Sequence, residues 1–152
     1  MIDLRTIPAL PFTRAQFLSA AVRLAMLNIP YLWGGKDPVR GLDCSGFVTS
    51  LVWRLSNGKV DIRATHNTTA LLEQLEIPIG EARPGDLAFY GPNGRTNHVM
   101  VCLGEGVVLG QGIGDASCTD AELSRRDGKT TKVFTMQYRP DLIGVRRFRF
   151  SP

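Results

Sequence analysis

The sequence predicts an α+β fold, with helices in the first half of the chain and an antiparallel meander in the second. Two segments, 13–28 and 44–55, carry apolar residues at helical spacing, and short apolar runs set off by glycine and proline follow Arg83-Pro84-Gly85. No repeat, low-complexity tract or linker interrupts the 152 residues, so the chain is read as one domain over 1–152. At 43% hydrophobic content it is large enough to bury a core without staples.

The first helix is expected over 13–28. Thr13 and Gln16 have capping-box spacing, Phe12 and Phe17 can staple the entry, and Phe17, Ala20, Ala21, Leu24 and Leu27 form a stripe that Asn28 and Pro30 terminate. The second runs from Cys44 to about Leu55, with Phe47, Val48, Leu51, Val52 and Leu55 at i, i+3, i+4 and Asn57-Gly58 closing it. Asn67 or Thr68 caps a shorter third helix bearing Leu71, Leu72 and Leu75.

Strands are expected at Asp86–Tyr90, His98–Leu103 and Val107–Gln111, the last two joined through Gly104-Glu105-Gly106, with a final alternating strand at Ile143–Phe150. The stretch 112–132 reads as a polar loop with one helical turn at 120–124, and 114–129 within it is placed to cover a cleft as a lid.

Net charge is +4, and basic residues gather at Arg125, Arg126, Lys129, Lys132, Arg139, Arg146, Arg147 and Arg149. Such a tail can attract an anionic polymer, bacterial cell wall included, but with no aromatic platform motif beside it nucleic acid is not an expected partner. Cys44, Cys102 and Cys118 show no Cys-x-x-Cys spacing and the chain has two histidines, so neither a metal nor another cofactor is expected. No apolar run approaches the ~18 residues of a membrane span. Met1–Pro8 has neither the basic head nor the apolar core of a secretory leader, which leads us to expect synthesis in the cytoplasm without a signal peptide or stable membrane insertion.

Chemistry centres on Cys44, which a glycine-rich loop delivers onto the first turn of an apolar helix. Unpaired N–H groups and the positive end of the helix dipole favour thiolate there, so a depressed thiol pKa is expected. Free cysteine is more often a small buried hydrophobe, but Asp43 before it and Ser45-Gly46 after it favour a nucleophile. The partner base is His98, at the mouth of an apolar strand, in preference to His66, whose polar loop suggests a solvated or capping role.

A cysteine–histidine pair works better when a third group orients the imidazole. A three-residue hairpin loop sets residue 103 opposite 107, which leaves Gly110 on the face of His98 and turns Gln111 away. A two-residue loop slips the register and brings Gln111 onto that face. Because glycine has nothing to orient with, Gln111 is the candidate, with a backbone carbonyl or Asp115 as substitutes. The phenol of Tyr31, on the loop that feeds Cys44, can donate to a developing oxyanion beside the N–H groups at Cys44 and Ser45. A buried aromatic with a satisfied hydroxyl is the alternative.

Tyr31-Leu-Trp-Gly-Gly35, Leu42-Asp-Cys-Ser-Gly-Phe47, Arg83-Pro-Gly-Asp-Leu-Ala-Phe89 and Asn97-His-Val-Met-Val-Cys-Leu-Gly104, in that order, resemble the NlpC-type papain-like cysteine peptidases of bacterial cell-wall turnover. The resemblance implies a papain-like fold in which the helix bearing Cys44 packs on an antiparallel sheet bearing His98. It also implies that Tyr31 lies near the oxyanion site and that Asp43, Ser45 and Gly46 shape the nucleophile turn and substrate contact. The family's third polar residue comes about a dozen residues after the histidine, which is Gly110 here, with Gln111 one position late.

As function, the resemblance implies hydrolysis of a peptidoglycan stem-peptide amide, such as D-glutamyl to diamino acid, through a thioester. Two other readings remain: an amidase or acyltransferase on another amide or a lipid, and a non-catalytic wall-binding or phage-tail structural module. The expected place of action is the wall, reached as a phage lysin, a tail-associated hydrolase or the cargo of secretion machinery.

Overall fold

The computed structural model describes residues 6–152, and the Met1–Arg5 part of the leader reading lies outside the described residues. Helix α1 spans Arg14–Ala25, and the reciprocal capping box forms: Gln16 N donates to Thr13 Oγ1 while Thr13 N donates to Gln16 Oε1. A two-residue ribbon, β1 (Lys36–Asp37) with β2 (Gly41–Leu42), precedes α2 (Cys44–Leu55), and α3 (Thr68–Gln74) follows with Asn67 as its cap. Asn57 and Gly58, both at positive φ, turn the chain out of α2 as the sequence suggests.

Five strands then form one antiparallel sheet in the order β6-β5-β4-β3-β7, from β3 (Leu87–Tyr90), β4 (His98–Gly104), β5 (Val107–Gly110), β6 (Lys132–Thr135) and β7 (Leu142–Arg146). One face, with Leu87, Phe89, Val99, Val101 and Leu109, shares a buried cluster with Phe17 and Leu24 of α1 and with Phe47, Val48, Leu51 and Val52 of α2. The other carries Ala88, Tyr90, Met100, Cys102 and Val108, with Phe134, Met136 and Tyr138 packed against them. The α+β expectation holds, and the helix bearing Cys44 lies on the sheet bearing His98. Fully burying one such side chain as Phe47 stabilises by about 2 to 3 kcal/mol, so the helix is fixed firmly where it meets the strands.

Besides α1, which ends at Ala25 short of the expected 28, and the unexpected β1–β2 ribbon, three elements differ from expectation. Strand β6 lies in the stretch read partly as loop; its Lys-Val-Phe-Thr is short and edge-placed, with little periodicity to detect. A short helix, α4 (Ala121–Arg126), is capped by Asp120 where one turn was expected. Strand β7 stops at Arg146, because Arg147 N leaves β3 to donate to the Glu76 carbonyl and its side chain closes on Asp86. Phe148 and Phe150 then turn their rings onto Phe17.

The hairpin between β4 and β5 is decisive for the site. Its loop is the two-residue one, Glu105 and Gly106 both at positive φ, as a tight turn with right-handed strand twist requires. Leu103 is then skipped, and pairing resumes as Cys102 with Val108 and Val101 with Leu109. The bulge restores the register that a three-residue loop would have produced.

Candidate active site

Asp43 builds the turn that presents Cys44. One carboxylate oxygen accepts from Gly46 N at 2.6 Å, capping α2, and the other accepts from Gly34 N at 3.1 Å, pinning the preceding loop. Ser45 Oγ donates to the same capping oxygen at 3.3 Å. Gly46 has no alternative here, since a Cβ at this position would lie 2.0 Å from the Gly35 carbonyl oxygen.

Cys44 is only 5% exposed. Its Sγ rests 3.7 Å from Thr68 Oγ1 and 3.9 Å from the Asn97 carbonyl, and the backbone N–H groups of Ser45 and Val99 point at it. Contacts on both sides of residue 98 therefore bring the helix start of α2 to the strand start of β4. Burial, followed by the Asp43 carboxylate, pushes the thiol pKa up; the Thr68 hydroxyl and the two N–H groups oppose this without reversing it. The expected depression is not found, because the depth at which Sγ is buried outweighs the helix-end effect.

His98 is 4% exposed, and its pKa is pulled down to about 3, chiefly by burial and then by Arg139, with Asp141 acting the other way. At neutral pH the resting site holds a thiol and a neutral imidazole. His98 Nε2 lies 2.7 Å from the hydroxyl of Tyr138, in the 3₁₀ turn Met136–Tyr138, and that hydroxyl donates to the Gly112 carbonyl at 3.1 Å.

Gln111 does not meet the imidazole. It is completely buried, and its Nε2 donates to the Ile29 carbonyl at 2.8 Å. The bulge at Leu103 is the reason, since it puts Gly110 beside Met100 and turns the next residue to the opposite side. Asp115, the other substitute, accepts from Ser117 N at 2.8 Å and from the Ser117 hydroxyl in an exposed turn.

Tyr31 is 3% exposed, and burial, with Cys44 and Asp43 nearby, drives its phenol pKa well above the ordinary value, so it remains a proton donor. Tyr31, Trp33, Asn97, His98, Gly114, Asp115, Ala116 and Arg139 line a cleft of about 330 Å³. The loop expected as a lid forms one wall of it, tied down where Tyr31 N donates to the Lys129 carbonyl and Trp33 N to the Cys118 carbonyl. A larger apolar groove between α1 and α2 lies toward the far end of α2 from Cys44.

His66 is buried rather than solvated, with Nδ1 2.8 Å from Thr65 Oγ1 and Nε2 2.7 Å from Gln74 Oε1, so it ties its loop to α3. Among the described residues no His, Cys, Asp and Glu cluster has the makings of a metal site, and no helix is long and apolar enough to cross a membrane. Part of the basic tail is internal wiring, since Arg147 pairs with Asp86, Arg139 with Asp141, and Arg146 Nε donates to the Leu72 carbonyl, while Arg125, Arg126, Lys132 and Arg149 are exposed.

The family model for NlpC/P60 matches residues 28–138, which include Cys44, His98 and Tyr138. The chain belongs to the NlpC/P60 family. Among its curated relatives, Protein P54 of Enterococcus faecium is 36% identical over 80 residues, 53% of this chain and 15% of that protein. Peptidoglycan endopeptidase RipA of Mycobacterium tuberculosis is 34% identical over 94 residues, 57% of this chain and 20% of RipA. The chain thus spans a fifth or less of those two relatives. The crystal structure of the NlpC/p60 domain of peptidoglycan hydrolase SagA superposes with a TM-score of 0.61 at 28% identity, covering 86% of this chain and 98% of that one.

In this NlpC/P60 chain, sequence reasoning missed two site residues. Thr68 was legible only as a helix cap, and nothing local tells that α3 aims its first turn at a thiol 24 residues earlier. Tyr138 stands 40 residues beyond His98 in a segment without regular periodicity, and the one available signal was a glycine, Gly110, where the resemblance implies a polar side chain.

Proposed function

We propose that this chain hydrolyses an amide bond in the stem peptide of bacterial peptidoglycan, with Cys44 as nucleophile and His98 as general base and acid. The observation that carries the reading is the seating of Cys44 Sγ, at the N-terminus of α2, against the backbone on either side of His98. Membership of the NlpC/P60 family supports it, as does the naming of RipA and SagA as a peptidoglycan endopeptidase and a peptidoglycan hydrolase.

The resting neutral pair dictates the first step. As Sγ bonds to the scissile carbonyl carbon, its proton passes to the imidazole, and the carbonyl oxygen takes the negative charge. The phenol of Tyr31, still protonated, and the N–H groups at the start of α2 are the donors for that oxygen. Collapse breaks the C–N bond while the imidazolium gives its proton to the leaving amine. Water then loses a proton to His98 and attacks the thioester, releasing the acid and the thiol. Asp43, Ser45 and Gly46 serve by holding the turn.

The finer choice of bond, D-glutamyl to diamino acid, belongs to the same proposal. So does the place of action, the cell wall, with delivery by a phage tail or secretion machinery; the support is that the substrate lies outside the cytoplasmic membrane. The test is mass spectrometry of purified peptidoglycan digested with the wild-type protein and with Cys44→Ala. New peptides and amines from the wild type alone are expected, and their masses identify the bond. No fragments from either protein on walls of both common stem-peptide types would overturn the reading.

A further inference from the structure

We propose that Tyr138 is the positioning residue for His98, doing with a phenol from beyond β6 what the hairpin strand β5 leaves undone. The inference rests on reading Cys44 and His98 as the reacting pair.

Proton counting fixes the arrangement. Tyr138 has one hydroxyl proton and two neighbours, the Gly112 carbonyl at 3.1 Å and His98 Nε2 at 2.7 Å. A carbonyl only accepts, so the phenol proton goes to Gly112. The contact with His98 is then a hydrogen bond only if Nε2 carries a proton and donates it to the phenol oxygen. With Nε2–H engaged, the neutral ring keeps its lone pair on Nδ1, and that nitrogen is left to take the thiol proton. After transfer, the same Nε2–H bond holds the imidazolium in place.

The surrounding structure holds the phenol as tightly as a strand residue would be held. The Tyr138 ring stacks on Phe134 with centroids 4.5 Å apart and meets Tyr90 edge-on at 5.5 Å. Tyr90 in turn donates its own hydroxyl to the Met136 carbonyl at 2.8 Å, fixing the turn that carries Tyr138. Burial keeps the Tyr138 phenol protonated across the working pH range, so its single proton stays committed to Gly112. On the hairpin side there is no competitor: Gly110 has no side chain, and the Gln111 amide donates to Ile29.

A tyrosine that only filled space would leave the imidazole proton free to choose either nitrogen, and this is what separates the two roles. The experiment is ¹⁵N nuclear magnetic resonance of His98 at neutral pH in the wild type and in Tyr138→Phe, with kcat and KM on peptidoglycan fragments. The chain has two histidines, so the signals are assigned with a His66→Gln variant. Expected are a single tautomer protonated at Nε2 in the wild type and a mixture in Tyr138→Phe. With it kcat falls about 10- to 100-fold at nearly constant KM, short of the ~10⁴ seen where a charged orienter is lost.

A wild-type imidazole protonated at Nδ1 would overturn the proposal without any variant. So would a variant with unchanged tautomer, or one with a mixed tautomer and unchanged kcat. The tautomer is read without substrate, so a protein that releases nothing from peptidoglycan yet shows the expected shift would sink the proposed function and leave the Tyr138–His98 relationship supported.

Discussion

Gln111 gives its amide to the carbonyl of Ile29 at 2.8 Å, which ties the end of the β4–β5 hairpin to the segment after α1 and keeps the residue off His98. Its Oε1 is buried with no hydrogen-bond partner among the described residues. Its work is therefore structural. Gln111→Ala removes one of the two donors to the Ile29 carbonyl, which Thr131 N still reaches at 3.0 Å, and opens a cavity, so a loss of about 1 to 3 kcal/mol in chemical unfolding is expected. Turnover per folded molecule should stay within about twofold, whereas a residue orienting the imidazole would cost tenfold or more.

The start of α2 was legible because its determinants are local: Asp43 caps Gly46, glycine permits the contact at Gly35, and the apolar stripe follows at once. His98 was legible for the same reason, at the first position of an apolar strand. The third group was not, since its identity turns on one skipped residue, Leu103, and on a side chain brought back from 40 positions away. Charge state failed similarly. A helix terminus can be read from sequence, but the exclusion of water from Cys44 depends on Thr68 arriving from α3 and on Asn97 and Val99 arriving from the start of β4.

That exclusion of water makes a kinetic prediction. A preformed thiolate would alkylate at a rate already level near neutral pH. The raised thiol of Cys44 should instead react with iodoacetamide slowly at pH 7 and faster as pH climbs beyond the ordinary thiol value of about 8.5. Peptide mass spectrometry separates Cys44 from Cys102 and Cys118, and a rate for Cys44 that is flat from pH 6 to 9 would contradict the neutral resting pair.

Asp86 anchors the opposite end of the sheet. It is fully buried, accepts from Arg147 Nε and Nη2 at 2.8 Å each and from Arg83 N at 2.7 Å, and meets Arg14 Nη1 at 3.2 Å. Burial alone would raise its pKa, but these donors win and hold the carboxyl below its usual range. Replacing it by Ala strands Arg147 without its charge partner, at a cost of about 3 to 5 kcal/mol. Urea denaturation measures this, and a loss under about 1 kcal/mol would mean that Arg147 finds water instead.

Acid should unfold the protein partly through His98. Its folded pKa of about 3 lies below the unfolded value of 6.5, so between those pH values the unfolded chain binds a proton that the native imidazole refuses. The stabilisation is therefore complete above about pH 6.5 and is lost as pH falls toward 3. Between pH 7 and pH 4 the contribution is on the order of 3 kcal/mol. Carboxylates of the unfolded chain also begin to take up protons toward pH 4, so the comparison is with His98→Gln, which keeps the carboxylates and removes the imidazole. The drop in unfolding free energy from pH 7 to pH 4 should be smaller in that variant by about this amount. Equal drops in the two proteins would show that the native site opens and protonates His98 without unfolding.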